Sequence, residues 1–343
     1  MTPLTRHEWD VLLRAAAAAP SLHNSQPWRF EAAGDAVKLY GDPSRRLEHA
    51  DPDARQLHMS CGAALFNLRV AARRLGYEAA VSLLPDLGQP TLLARVVLNR
   101  ATGPGHFEAE LYAAIPRRRT NRRPFAHRPV HSSELRLLSD AAQAEGATLT
   151  TVDEEELSRL TGLVHEAELM DATDPERRVE SGAWIGTAPT RRDGVPMSAV
   201  GPVPTNVDAV FRDLASRRAT PTRERAEFES QPTLAVLYTD GDWPRHWLRA
   251  GQALEHIWLL ATVHGIAISF LNQPLEYPDL RGLVRDPRTR IGHPQMLLRM
   301  GYGAPVPATP RRPLGDVAPG HSDATEQTGD ESSGQVRDEG PSR

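Results

Sequence analysis

The chain of 343 residues contains one lysine, Lys38, and one cysteine, Cys61. A single cysteine excludes an internal disulfide and any zinc or iron–sulfur centre built from several thiolates. It fits a reducing, cytoplasmic setting. The scarcity of lysine leaves positive charge to arginine and histidine, so an anion site has to use guanidinium groups, imidazoles or backbone amides. No run approaches the roughly 20 apolar residues that span a bilayer. The opening residues, Met1-Thr-Pro-Leu-Thr-Arg-His-Glu8, carry no apolar segment of signal-peptide type. These absences point to a soluble cytoplasmic protein with no membrane partner. There is no glycine-rich phosphate loop of the dinucleotide or nucleoside-triphosphatase kind, and His165-Glu166 lacks the second histidine of a zinc-protease helix, so no metal site is expected. The net charge of −4 disfavours a protein built mainly to bind nucleic acid.

What is present describes a globular protein, with 40% hydrophobic and 24% charged residues. The length suits one large domain or two ordinary ones. Thr5 and Glu8 form a capping-box pattern before an alanine-rich helix that Pro20 stops. Trp28 to Phe30 and Val37 to Tyr40 read as strands about a Gly34-Asp35 turn. Leu57, Cys61, Ala64, Leu65, Leu68 and Ala72 recur at helical spacing up to Gly76. Strands follow over 78–84 and 91–99, then a helix over 106–115, a helix capped by Ser132 or Ser133, a strand over 147–152 and a helix over 153–169. Residues 171–230 are rich in Pro, Gly, Arg and Asp, which predicts a long insertion such as a lid or binding loop. A strand over 233–239, a long helix over 247–264 and strands over 266–271 and 295–302 complete the folded part. From Gly315 the composition is polar and predicts a disordered tail.

The order repeats itself. Cys61–Gly76 can be laid on Ala250–Gly265, so that Gly62, Ala64, Leu65, Ala72 and Gly76 fall on Gly251, Ala253, Leu254, Ala261 and Gly265. Glu8, Leu12, Ala15 and Ala16 fall on Glu134, Leu138, Ala141 and Ala142. The fold class read from this is α+β, two tandem degenerate repeats forming a single-chain pseudo-dimer around long central helices. The halves are residues 1–115 and 116–314, followed by the 315–343 tail. Small residues on the long helices permit the close approach such a seam needs.

Two stretches carry the chemistry. Pro20-Ser-Leu-His-Asn-Ser-Gln-Pro-Trp28 is a polar loop between a helix end and an aromatic strand start. Arg117-Arg-Arg-Thr-Asn-Arg-Arg-Pro-Phe125 is a basic segment whose plainer reading is a solvated loop, since charge runs are usually exposed. Together, Pro20-Ser-x-x-Asn24-Ser-Gln26-Pro27-Trp28, the Gly/Ala-bearing helices and Arg119-Thr-Asn121-Arg-Arg123-Pro-Phe125 resemble the FMN-dependent nitroreductase superfamily, in particular its actinobacterial Acg-like branch. The resemblance covers residues 5 to 315. It implies an FMN site shared between two halves: Pro20, Ser21, Leu22 and Asn24 at the flavin ring; Arg119 and Asn121 at the phosphate; and Arg123 near the ring edge or ribityl chain. It also implies Arg311 and Arg312 as C-terminal phosphate contacts, with Asn272 and Gln273 near flavin N5. The loop occurs only in the first half and the arginine segment only in the second, so one flavin per chain is expected. NAD(P)H and a small aromatic acceptor, nitroaromatic or quinone-like, are the implied partners, in a monomer or weak homodimer of pseudo-dimers. The alternative is a protein that holds flavin without turnover, with the 171–230 insertion as its cover. His23 reads as a cap or a flavin donor, and Cys61 as packing.

Overall fold

A computed structural model describes residues 4–101, 106–206, 209–215, 223–288 and 292–321. Helix α1 (Arg6–Ala17) starts on the Thr5–Glu8 capping box and buries Trp9, Leu12, Leu13 and Ala16. Strands β1 (Trp28–Ala33) and β2 (Ala36–Gly41) form the hairpin about Gly34. Helix α2 (Arg55–Arg74) leads to β3 (Tyr77–Leu83), β4 (Leu92–Arg100) and α3 (His106–Ala114). Helix α4 (Ser132–Ala144) and strand β5 (Thr148–Thr151) come next. Helix α5 (Glu154–Thr173) leads into the insertion, which contains α6 (Pro175–Trp184) and the short pair β6 (Val203–Pro204) and β7 (Arg225–Ala226). Then come β8 (Thr233–Thr239), α7 (Pro244–Val263), β9 (Ala267–Phe270), α8 (Pro278–Leu283), β10 (His293–Gly301) and α9 (Leu314–Val317).

The two main sheets are antiparallel and ordered β1-β2-β4-β3 and β5-β8-β10-β9. In each, the chain visits the four positions in the same sequence, and a long helix separates the second strand from the third. Between the sheets, α2 and α7 form the most extensive helix pair in the molecule, inside one hydrophobic core that draws on both halves. Their crossing is reciprocal. A Cβ on Gly62 would lie 2.2 Å from the carbonyl oxygen of Leu248, and one on Gly251 would lie 2.0 Å from that of Met59. Only glycine lets two helix backbones come this close. Gly76 and Gly265 end their helices alike, at φ 78 and φ 72, the left-handed stop that glycine adopts without a Cβ penalty.

Each half also sends an arm to the other. Thr120 bridges Ile268 at the free edge of β9, and the Asn121 N–H donates to the Ile268 carbonyl at 2.9 Å. In return, the C-terminal arm reaches α1 and β1, where Leu314, Val317 and Ala318 join the main core. Residues 315–321, expected to open the polar tail, are instead part of the fold, because these apolar residues have a surface to cover; the rest of that expectation lies outside the described residues. The insertion holds more structure than its composition suggested. α6 starts on an Asp174 cap with Pro175 in the first turn, and Ile185, Val195, Val200 and Ala215 make a small core of their own.

Candidate functional site

The loop Pro20–Gln26 leaves α1 in a tense conformation. His23, Asn24 and Gln26 have φ of 48°, 57° and 51°, the left-handed region that costs residues with a Cβ roughly 1–2 kcal/mol each. Such a backbone persists only where surrounding contacts over-determine it. Here they are visible. Ser21 Oγ accepts from the Gln26 N–H at 2.8 Å, and Asn24 Nδ2 donates to the carbonyls of Gly194 and Pro310, both at 3.0 Å. Asn24 Oδ1 accepts from the Arg311 guanidinium at 3.0 Å. Gln26 Nε2 donates to the Arg192 carbonyl at 2.9 Å, and its Oε1 accepts from the Arg312 N–H at 2.8 Å. The loop is thus fastened to both the insertion and the C-terminal arm.

A cleft opens beneath it in two continuous parts. The first, about 680 Å³ of empty space, is a slot between α2 and α7 walled by Met59, Ala63, Leu254, Trp258, Phe270 and Met296, with Pro20, Ser21 and Leu22 on the loop side. The second, about 920 Å³, is lined by the guanidinium groups of Arg118, Arg119, Arg122, Arg123 and Arg311. Pro20, Ser21, His23, Thr120 and Arg122 border both parts. Burial, and then repulsion from Arg212, pushes Arg122 down to about 10; burial, and then Arg118 and Arg119, pushes Arg311 down to about 9. Both stay charged near neutrality. Arg123 pairs with the exposed Glu224 and Arg118 with Glu255, whereas Arg122 and Arg311 donate hydrogen bonds to neutral groups. An arginine-lined end of this kind suits a dianion, which guanidinium groups bind in bidentate fashion.

His23 stands where these two parts meet a third, outer cavity lined by Glu168, Asp171, Arg177 and Arg212. Its Nε2 is buried without a partner. Burial, reinforced by Arg212, Arg122 and Arg177, holds the imidazole well below its ordinary range, so it is neutral. The outer cavity is braced by Glu276, whose carboxylate receives Arg212 at 2.6 and 3.0 Å and Arg177 at 3.2 Å. Both arginines belong to the insertion, which is also tied down by the Arg45–Asp193 pair and by Arg122 donating to Ala199 O at 2.9 Å.

Of the residues singled out from sequence, the structure brings Pro20, Ser21, Leu22, Asn24, Arg119, Arg123 and Arg311 to this cleft, together with Asn272 at the end of the slot. Three do not line it. Asn121 is buried behind it, donating to Ala304 O at 2.9 Å and accepting from the Arg123 N–H at 3.1 Å. Gln273 is fully buried and points the other way, to Glu168 at 2.7 Å. Arg312 turns back onto Gln26 O and Asp316 O at 3.3 and 3.1 Å. In the arginine segment Arg118, Arg119, Thr120, Arg122 and Arg123 border the cleft, whereas Asn121 turns inward to bond the Ala304 carbonyl. Arg122, Thr120, Trp258 and Arg212 were missed. Arg122 sits inside the motif and could have been included; Trp258 and Arg212 carry no local signal.

The chain can now be compared with known proteins. No family model matches it. A Mycobacterium tuberculosis protein provisionally named NAD(P)H nitroreductase Rv3131 is 34% identical over 312 residues, 90% of each chain. The chain belongs to the nitroreductase superfamily. A second M. tuberculosis member, provisionally named NAD(P)H nitroreductase acg, is 31% identical over 328 residues, 92% of this chain and 97% of that one. Among solved structures, the FMN and NADPH-dependent nitroreductase NfnB from Sphingopyxis is 21% identical, aligning with 60% of this chain and 96% of its own at a TM-score of 0.38. Among the described residues of this superfamily member, no helix is long and apolar enough to cross a membrane.

Proposed function

We propose that this protein is an FMN-dependent oxidoreductase of the nitroreductase type, a single-chain pseudo-dimer that holds one flavin. The observation that carries the reading is the continuity of an apolar slot with an arginine-lined end, built from both halves. A flat ring fits between the α2 and α7 side chains, and a phosphate monoester dianion suits the guanidinium groups. Arg119, Arg122, Arg123 and Arg311 would hold the phosphate, and Pro20, Ser21, Leu22 and Asn272 the ring. Bound FMN supplies two-electron redox chemistry, while the protein binds, orients and shields it. NAD(P)H as donor and a nitro-compound acceptor follow from the names of the relatives, and a nitroaromatic or quinone-like molecule is the acceptor that the superfamily resemblance implies. The matching strand order of the two sheets and the reciprocal contacts of Gly62 and Gly251 support the pseudo-dimer, since self-complementary contacts mark a two-fold interface. The division falls near residues 115 and 314, and the unit acts as a monomer or a weak homodimer. The test is direct. Protein purified with FMN should be yellow, and anaerobic NADPH or NADH should bleach it; a colourless protein that takes up no added FMN overturns the reading.

A second reading has its own observation. The insertion lies across the loop and the cleft, with Gly194 and Arg192 bonded to Asn24 and Gln26 and with Ala199 on Arg122. A cover fixed this way leaves a nicotinamide little room, which favours holding flavin over turning it over. Yellow protein that stays oxidised under both nicotinamides would select this second reading.

A further inference from the structure

Below the arginine-lined end of the cleft lies a carboxylate that no part of the functional reading uses. Glu255, on α7, is fully buried in the helix seam. The Arg118 guanidinium approaches it, Nε to Oε1 at 3.2 Å, with only 3% of the arginine side chain exposed. Arg118 is itself part of the cleft lining. It packs on the Trp258 ring at 4.3 Å and shares the Ala18 carbonyl with Arg311, each donating at 3.1 Å. A short path therefore joins Glu255 to the two guanidinium groups deepest in the site.

The surroundings are lopsided. From the segment after α3, Arg118 faces Glu255; from the C-terminal arm, Arg311 acts on it; from α2, the buried Asn67 is its neutral neighbour. Among the described residues no other charged group acts on it. The next residue along α7, His256, is engaged with Glu145 of α4 at 3.6 Å. Five arginines thus line the anion end, and one of them, Arg118, is paired with this buried carboxylate.

We propose that Glu255 is the counter-ion through which the anion end matches its charge to its ligand, taking up a proton when a phosphate dianion binds and releasing it when the site empties. The electrostatics run one way. With the cleft empty, an ionised Glu255 offsets part of the crowded positive charge. A bound dianion supplies that offset itself and repels a carboxylate behind the same guanidinium groups, which favours its protonated form. The proton comes from solvent and returns to it. Burial, opposed by Arg118, already places Glu255 at about 7, so the exchange falls near neutrality. By linkage, a site that gains a proton on binding holds its ligand more tightly as pH falls. Glu255 touches no ligand and acts through Arg118, so it is a positioning residue.

The proposal rests on the reading of this end as a phosphate site, and its test separates the two. FMN binding to the flavin-free protein is followed by calorimetry at pH 8 in HEPES and in Tris, whose ionisation heats differ. Phosphate, with a second pKa near 6, is already a dianion there. The protein should take up a fraction of a proton per FMN, and none with riboflavin, which has no phosphate. Glu255→Gln should abolish the uptake. If binding favours the protonated carboxylate tenfold, FMN affinity in the unmodified protein should fall about fourfold from pH 7 to 8.5 and stay flat in Glu255→Gln. No uptake with FMN, equal uptake with riboflavin, or undiminished uptake in Glu255→Gln each overturns the proposal while leaving the flavin site standing. Failure of the unmodified protein to bind FMN at any pH removes the flavin reading and the proposal together. Glutamine strands the Arg118 charge, so should the variant not fold, the FMN and riboflavin arms in the unmodified protein decide alone.

Discussion

On one side of the α2–α7 crossing, Met59, Ala63, Leu254 and Trp258 wall an open slot; on the other, the residues in register with several of these build a closed polar plug. In the alignment of Cys61–Gly76 with Ala250–Gly265, Arg69 stands where Trp258 does and Gln252 where Ala63 does. Arg69 bonds Glu145 at 2.5 Å and Gln252 at 2.8 Å, while His256 stacks on Phe66 with ring centroids 4.8 Å apart. Glu145 closes α4 just before Gly146, the position at which the first half has Pro20 and its loop. The same scaffold carries a cleft where aromatic and small side chains leave space, and none of that opening where long charged ones meet and neutralise each other. Even the buried carboxylates contrast. Burial raises Glu255, with Arg118 only partly opposing it, whereas at Glu145 the His256 and Arg69 partners outweigh burial and hold the carboxyl below its ordinary value.

The seam belongs to both sides, so breaking it should cost most. Gly62→Ala and Gly251→Ala each drive a methyl into a backbone carbonyl, and each should lose about 3 kcal/mol or more in urea unfolding. A large difference between the two would deny the symmetry of the crossing. Next, Arg311→Ala should weaken FMN binding about 100-fold in a fluorescence titration, through a lost charge-assisted contact and a loosened Asn24. Across the seam, Arg69→Ala should leave FMN affinity unchanged and lower stability by about 2 kcal/mol, because it leaves the buried Glu145 charge with only His256 as partner. A drop in FMN affinity for Arg69→Ala would show that the plugged side still communicates with the cleft.

The pH dependence of apo-protein stability sharpens the contrast at smaller amplitude. Glu255 binds its proton more tightly folded than unfolded, so its contribution is complete below the unfolded carboxylate range of about 4.3 and is lost as pH rises toward about 7. Glu145 does the opposite: its contribution is present above the unfolded value and lost as pH falls through its lowered folded one. Unfolding curves should therefore lose a falling limb in Glu255→Gln and an acid limb in Glu145→Gln; exchanged limbs would contradict both assignments. Smallest of all, Arg123→Ala should change FMN affinity by less than about threefold, since that side chain is partly exposed and already paired with Glu224.

Much of this architecture was legible in the sequence because it rests on local rules. The Thr5–Glu8 cap, the Gly34 turn, the helical spacing along α2 and the glycine stops at 76 and 265 each declare themselves within a few residues. The loop and the arginine arm were legible as motifs. What stayed hidden depends on contacts between distant segments. Nothing near Gln273 or Arg312 says that their hydrogen bonds are spent on Glu168, Gln26 and Asp316. Nothing in 171–230 announces that Arg212 will brace the cleft through Glu276. Polar composition hid α6, whose helix starts from a single aspartate cap followed by proline, and the polar residues around Leu314 and Val317 hid their burial against the opposite half.

The crossed arms bear on how the protein is made. The arginine that completes the anion end lies 287 residues after the asparagine that orients it, and its arm packs on the first helix of the chain. During synthesis the slot can begin to close once α7 has emerged, but the anion end stays unfinished until the C-terminal arm leaves the ribosome and folds back across the N-terminal half. The proposed capture of a phosphorylated ligand is thereby placed after Arg311 has been made and folded back, so a chain terminated before Arg311 lacks this contact.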